Sequence, residues 1–353
     1  MTSQERLLAM KEGELPDRVP RRANFTPDLR KKVEEAAGTE DLEGFFDMDA
    51  FFHISLKRPP DLPQPDYSVY YPDLEDKNVI NEIGVARVPG DFYHFTHIVS
   101  PLHNAETLDE IEAFPIDENE EWTEVGMAED VRRAHEEGKI VAGSVTHLYE
   151  EAWQIRGLEQ FLEDLVLRPD FAESILERLT RRNVRRARAA AKAGADLLYT
   201  GDDIAHQHGM IFSPELWRKF FKPRWARIYE AAKEIKPDIM IWYHSDGNVG
   251  EVLDDLVEIG VEILNPVQPE CMDLLLVKQR CGKKLILDGT IGTQTTFPFG
   301  TPEEMERTVR ERVETLGYDG RLMLAPTHVL EPEVPVENVF AFFQACDRYG
   351  RLR

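Results

Sequence analysis

From residue 138 onward the chain repeats one pattern six times. A short apolar run ends in one or two polar residues, and a helical stretch follows. The runs are Lys139 to Val145, Asp196 to Tyr199, Ile239 to Tyr243, Glu262 to Leu264, Lys284 to Leu287 and Leu322 to Ala325. Runs this short, rich in β-branched and aromatic residues, read as buried strands. Between the first two, Trp153, Leu158, Phe161, Leu162 and Leu165 recur near the helical period. Ser213-Pro214-Glu215 and Thr301-Pro302-Glu303-Glu304 open helices with a capping hydroxyl and a proline in the first turn, and Pro169 and Pro335 begin two more. Strands alternating with helices pair in parallel. No Gly-x-Gly-x-x-Gly follows any strand, so the dinucleotide fingerprint of the open doubly wound sheet is missing. Polar residues at the carboxyl end of almost every strand suit a (β/α)8 TIM-type barrel, whose active site lies at that end.

The first 137 residues are less regular. Residues 3–12 read as an amphipathic helix carrying Leu7, Leu8 and Met10, and Val19 to Phe25 as a weak first strand burdened by Arg21 and Arg22. Residues 26–56 read as helix and loop, which leaves the eighth strand unassigned. Five prolines make 58–79 irregular covering structure. Ile80 to Val88 and Phe92 to Val99 flank Pro89-Gly90-Asp91 and predict a β-hairpin. Its His94 and His97, three apart, fall on opposite faces and do not share a metal. Residues 105–135 read as an acidic, helical surface. The predicted organisation is one barrel domain over 1–353, with 1–137 as N-terminal covering segments and hairpin and 138–353 as the main barrel repeats.

The chain has 353 residues and a net charge of −24, a surface that repels nucleic acid and anionic membrane. No apolar run approaches the ~20 residues needed to span a bilayer, and the N-terminus does not read as a signal peptide. Three cysteines, Cys271, Cys281 and Cys346, make neither a disulfide framework nor a Cys-x-x-Cys site. The expectation is a cytoplasmic protein acting on a small molecule. Arg178, Arg181, Arg182, Arg185 and Arg188 form a helical stripe that reads as a salt-bridged surface, or more sharply as a docking face for an acidic carrier.

The chemistry concentrates at the strand ends. His244 and Asp246 follow the run Ile239 to Tyr243 and point the same way if the strand geometry persists, with Gly247 turning the chain. Imidazole nitrogen and carboxylate oxygen both ligate zinc, so the pair reads either as two metal ligands or as a hydrogen-bonded strand-end pair. Glu150 reads as a ligand, a base or a helix-start carboxylate. Asp202, Asp203 and Asp288 position substrate or terminate strands. His147, Gln268 and His328 end other strands, and His206-x-His208 has metal-like spacing in a loop.

Ordered pieces of the whole chain resemble the uroporphyrinogen decarboxylase superfamily. They are Gly13-Glu14-Leu15-Pro16-Asp17-Arg18-Val19-Pro20, Tyr149-Glu150-Glu151-Ala152-Trp153 with Arg156-Gly157, and Ser213-Pro214-Glu215. His244-Ser245-Asp246-Gly247-Asn248, Asn265-Pro266-Val267-Gln268, Phe299-Gly300-Thr301-Pro302-Glu303-Glu304, Ala325-Pro326-Thr327-His328 and Pro335-Val336-Glu337-Asn338 complete the set. The resemblance implies a (β/α)8 barrel. True decarboxylases carry Arg-Gln-Ala-Gly-Arg after the first strand; here Arg21-Arg22-Ala23-Asn24-Phe25 stands there. The other branch contains zinc-dependent, cobalamin-linked methyltransferases, whose thiol-methylating members hold zinc with His-x-Cys and a distant Cys. This chain has His244-x-Asp246 and His328 at those places.

The resemblance therefore implies a corrinoid-dependent methyltransferase. It would take a methyl group from a small methyl donor to a cobalamin carried by a separate corrinoid protein; two neutral imidazoles and one carboxylate would leave zinc a net positive, harder centre, which favours a methyl ether as the donor. Zinc would be held by His244, Asp246 and His328, with Glu150, Asp202 and Asp203 in catalytic roles and His147, Gln268 and Asp288 binding substrate. The alternative is metal-free decarboxylation. Homodimeric assembly is left open.

Overall fold

The computed structural model describes residues 1–74, 76–90, 96–116, 118 and 120–352. Seven strands form one parallel sheet: β1 (Phe51–Ile54), β2 (Ile140–Ser144), β3 (Leu197–Gly201), β4 (Met240–His244), β5 (Ile263–Asn265), β6 (Ile286–Asp288) and β7 (Leu322–Met323). Spatial order equals chain order, every neighbouring pair is parallel, and helices make the crossovers. The result is a curled α/β sheet consistent with a TIM-type barrel. The six strands expected after residue 138 are β2 to β7, displaced by a few residues at most.

β1 is new. Its four residues, Phe-Phe-His-Ile, lie within the stretch read as helix and loop. They are too few to show a period, and the strand exists through its register on β2, Phe51 opposite Ile140 and Ile54 opposite Gly143. The expected first strand, Val19 to Phe25, makes only isolated parallel bridges, Arg21 to Leu324 and Phe25 to Leu330. Its Arg21 carbonyl accepts the Asp49 N–H at 2.7 Å, and Leu324 N–H donates to the Pro20 carbonyl at 2.8 Å. This segment thus joins the end of the sheet after β7 to the chain entering β1. Ala86–Pro89 and Thr96–Val99 form a separate antiparallel pair. The expected turn from Asp91 onward, with His94, lies outside the described residues.

Side-chain alternation divides each strand between two cores. Outward residues pack under the helices. Inward residues Phe51, Ile140, Ala142, Leu197, Tyr199, Met240, Trp242, Ile263, Ile286 and Met323 form the interior cluster. Helix Ser3–Glu12 plugs the amino end of this cluster with Leu7 and Met10, while Leu8 faces water. The i, i+3 spacing places those two side chains on one face. The arginine stripe on helix Pro169–Ala193 is divided. Arg181 and Arg178 pair with Glu118, Arg188 with Glu234, and Arg185 donates to the Glu120 carbonyl. Buried Arg182 donates to Thr146 Oγ1. Among the described residues no helix is long and apolar enough to cross a membrane, and the three cysteines are free thiols.

Candidate functional site

Continuing the inward alternation two residues beyond the apolar interior reaches a polar layer at the carboxyl ends: His53, Ser144, Gly201, His244, Asn265 and Asp288. His244 stacks over the Trp242 indole, centroids 5.9 Å apart and planes 15° apart, and Trp242 stacks on Tyr199 at 3.9 Å. The imidazole is also held in its plane, with Nδ1 2.8 Å from Asn265 Oδ1. Asn265 Nδ2 donates to Asp288 Oδ2 at 3.1 Å, and the Trp242 indole N–H donates to the same oxygen at 2.8 Å. Arg22 reaches in from the N-terminal segment to complete the ion pair with the fully buried Asp288. Gly201 is required beside His244, because a Cβ there would lie 2.6 Å from the His244 Cβ.

The two aspartates after β3 separate. Asp202 turns outward, toward the helix layer, and is fully buried. Its Oδ1 accepts the backbone N–H groups of Tyr149 at 2.7 Å and Glu150 at 3.4 Å, and its Oδ2 accepts the Trp225 indole N–H at 3.1 Å. It thereby caps helix Tyr149–Arg156, and burial raises its pKa well above the ordinary carboxylate value despite these donors. Asp203 faces the mouth. Its Oδ1 lies 3.5 Å from His244 Nε2 and accepts the Asp246 N–H at 2.9 Å. One ligand atom from each of Asp203, His244 and Asp246 falls within 4.8 Å of the others.

The chain turns directly after Asp246 at Gly247, φ 84°, where a Cβ would meet the Ala205 backbone at 2.6 Å. Gln268, almost wholly buried, accepts the Gly247 N–H at 2.6 Å and so fixes that turn. Asp246 Oδ1 is buried without a hydrogen-bond partner. Burial raises the Asp246 pKa, as does Asp203, while His244 and His328 pull it down. A buried carboxylate oxygen with no protein donor, beside a second carboxylate and an imidazole, fits a divalent cation.

His147 Nδ1 contacts the Glu150 carboxylate. Desolvation and the neighbouring His244 hold its pKa down to about 4, so it is neutral at neutral pH. His328 is exposed in the loop after β7 and stands outside the close group of three. His206 and His208 are exposed on the ribbon Ala205–His206 with Gly209–Met210, ring centroids 6.0 Å apart. A cavity of about 400 Å3 lined by Arg22, Asn24, Phe51, His53 and Tyr199 adjoins the polar layer. Residues Tyr70 to Leu74 of the proline-rich segment line a different cleft, with Trp153. Two contributors escaped the sequence reading. Asn265 carried a signal, since it shares the parity of Ile263. Arg22 carried none, since its partner Asp288 is distant in the chain.

A parallel α/β sheet with polar side chains gathered at the strand carboxyl ends is the class of protein that these features define. The uroporphyrinogen decarboxylase (URO-D) family profile matches residues 2–349, and the chain belongs to that family. It is 26% identical over 192 residues to the methylcobamide:CoM methyltransferase MtaA of Methanosarcina barkeri, covering 54% of this chain and 53% of that protein. It is 22% identical over 191 residues to uroporphyrinogen decarboxylase of Coxiella burnetii, covering 53% and 50%. The matched stretch thus spans about half the length of these curated relatives. A methyltransferase structure from Methanosarcina mazei covers 99% of both chains with a TM-score of 0.71 and 20% identity, a likeness of fold.

Proposed function

We propose that the chain is a corrinoid-dependent methyltransferase, moving a methyl group from a small methyl ether to a cobalamin carried by a separate protein. The observation that carries this reading is the convergence of Asp203, His244 and Asp246 within 4.8 Å at the strand carboxyl ends. The similarity to a protein named as a methylcobamide methyltransferase supports the reaction class. Asp203, His244 and Asp246 would hold zinc, with His328, in the loop after β7, as a further imidazole donor. When bound, zinc supplies Lewis acidity at the heteroatom that carries the methyl group.

The chain's own residues do the rest. Imidazole and carboxylate donors without a thiolate form a hard set, which suits an ether oxygen better than a thiol. Neutral His147, held by Glu150, offers a polar contact to the substrate without adding charge to the mouth. Asp202 acts indirectly, by fixing the start of the helix that carries Glu150. Asp288 and Gln268 order His244 and the Gly247 turn. The whole chain acts as one domain, and Val19 to Phe25, bridged to Leu324 and Leu330, closes the ring as an eighth strand.

Elemental analysis of the purified protein before and after chelation, paired with methyl transfer from an aryl methyl ether to reduced cobalamin, tests the proposal. About one zinc per chain is expected, with activity lost on chelation and restored by zinc. Full activity after exhaustive chelation would overturn it.

A further inference from the structure

His244 offers two nitrogens, and only an unprotonated one can donate an electron pair. Which nitrogen carries the proton is set by what the other atoms around the ring can and cannot do. Asp288 is fully buried, and three donors converge on its carboxylate: the Arg22 guanidinium, the Trp242 indole N–H at 2.8 Å and Asn265 Nδ2 at 3.1 Å. A carboxylate paired with arginine only accepts hydrogen bonds. Asn265 must therefore turn its NH2 group toward Asp288, because the flipped amide would press carbonyl oxygen against carboxylate oxygen. Its carbonyl oxygen then faces His244 Nδ1 at 2.8 Å. An amide oxygen cannot donate, so the hydrogen lies on Nδ1.

We propose that Arg22, Asp288 and Asn265 form a relay that fixes a proton on His244 Nδ1 and so leaves Nε2 as the nitrogen that opens, together with the Asp203 and Asp246 carboxylates, onto the candidate metal site. Nε2 is the nitrogen that faces Asp203, at 3.5 Å. Stacking on Trp242 keeps the ring in the plane this requires. Asn265 and Asp288 are positioning residues that act through His244. The link reaches from β4 through β5 and β6 to the N-terminal segment, so Arg22 belongs to the site although no part of it need touch substrate. What Nε2 donates to rests on the metal reading above; the tautomer does not.

The test uses the full-length, metal-free chain labelled with 15N-histidine. Long-range 1H–15N correlation spectra at neutral pH distinguish the two tautomers, and the signals lost in His244→Gln assign His244. The relay predicts a protonated, pyrrole-type Nδ1 in the wild type, with a pyridine-type Nε2 wherever the ring is neutral. Asn265→Ala removes the acceptor and Asp288→Asn frees the amide to flip; each should shift His244 toward the Nε2–H form. A wild type already in the Nε2–H form, or an Asn265→Ala spectrum unchanged from it, would overturn the relay, and the wild-type measurement needs no variant to fold. Zinc titration of Asn265→Ala should show affinity lower by about 10–100-fold. A shifted tautomer with unchanged zinc affinity would sustain the relay and reject the metal reading instead.

Discussion

The backbone N–H of Asp246 donates to Asp203 Oδ1 at 2.9 Å, so the carboxylate after β3 fixes where the carboxylate after β4 stands. The same Asp203 oxygen lies 3.5 Å from His244 Nε2. Two adjacent loops are thereby tied together by a group that also faces the candidate metal. One carboxylate both builds the site and belongs to it.

Asp202 and Asp203 should respond oppositely to the same amide substitution. Asp203→Asn keeps an acceptor for the Asp246 N–H but loses the charge. It should unfold within about 0.5 kcal/mol of wild type while losing bound zinc. Asp202→Asn turns an NH2 group toward N–H donors in a buried site and should cost about 1–3 kcal/mol. Urea unfolding and zinc stoichiometry on both variants decide the assignment, and equal loss of metal with equal stability would contradict it.

Gly201→Ala should disturb His244 directly. The new Cβ would meet the His244 carbonyl oxygen at 2.5 Å and its Cβ at 2.6 Å, and neither atom belongs to a flexible side-chain end. Overpacking of this kind costs about 1–3 kcal/mol. Stability should fall together with zinc affinity; a variant that binds zinc like wild type would show that β4 can retreat without moving the imidazole.

His147 makes stability pH-dependent. Its folded pKa, about 4, lies below the ordinary 6.5. The unfolded chain therefore binds a proton that the folded chain refuses between those values. This contribution is fully present above about pH 6.5 and is lost as pH falls toward about 4. Urea unfolding across that window should show a steeper decline for wild type than for His147→Gln. Parallel curves would mean that His147 is not the group responsible.

Met10→Ala tests the plug at the opposite end of the sheet interior. Met10 is wholly buried beside Leu7 in the inward cluster. Its truncation should cost about 2–5 kcal/mol. Zinc content should be unchanged in the folded fraction, because the cavity opens at the amino ends of the strands. Loss of metal in folded protein would reveal coupling between the two ends.

Features that depend on neighbours in the chain were legible from residue types alone. Alternation within β4 places Met240, Trp242 and His244 on one face because successive side chains point to opposite sides of a strand. Ser213 and Thr301 cap their helices, accepting the N–H groups of Leu216 and Glu304, as the hydroxyl-proline openings predict. Gly247 takes the positive φ that the turn after Asp246 requires. These devices, repeated along the chain, determined the α/β parallel architecture and the end of the sheet where polar groups gather.

Tertiary structure decided what depends on distant partners. Phe51–Ile54 is a strand only because β2 offers a parallel edge in register; four residues have no period of their own. Asp202 and Asp203 are chemically identical neighbours. The chain path after Gly201 buries one beneath a helix start and turns the other to the mouth. Arg22 meets Asp288, and Asn265 meets His244, only when successive strands lie side by side. His328, expected at a strand end, lies in the loop five residues beyond the end of β7, exposed and outside the group of three. Local patterns specify which way a side chain points along its own strand; the distances between ligating atoms on different strands arise only from the packing that brings those strands together.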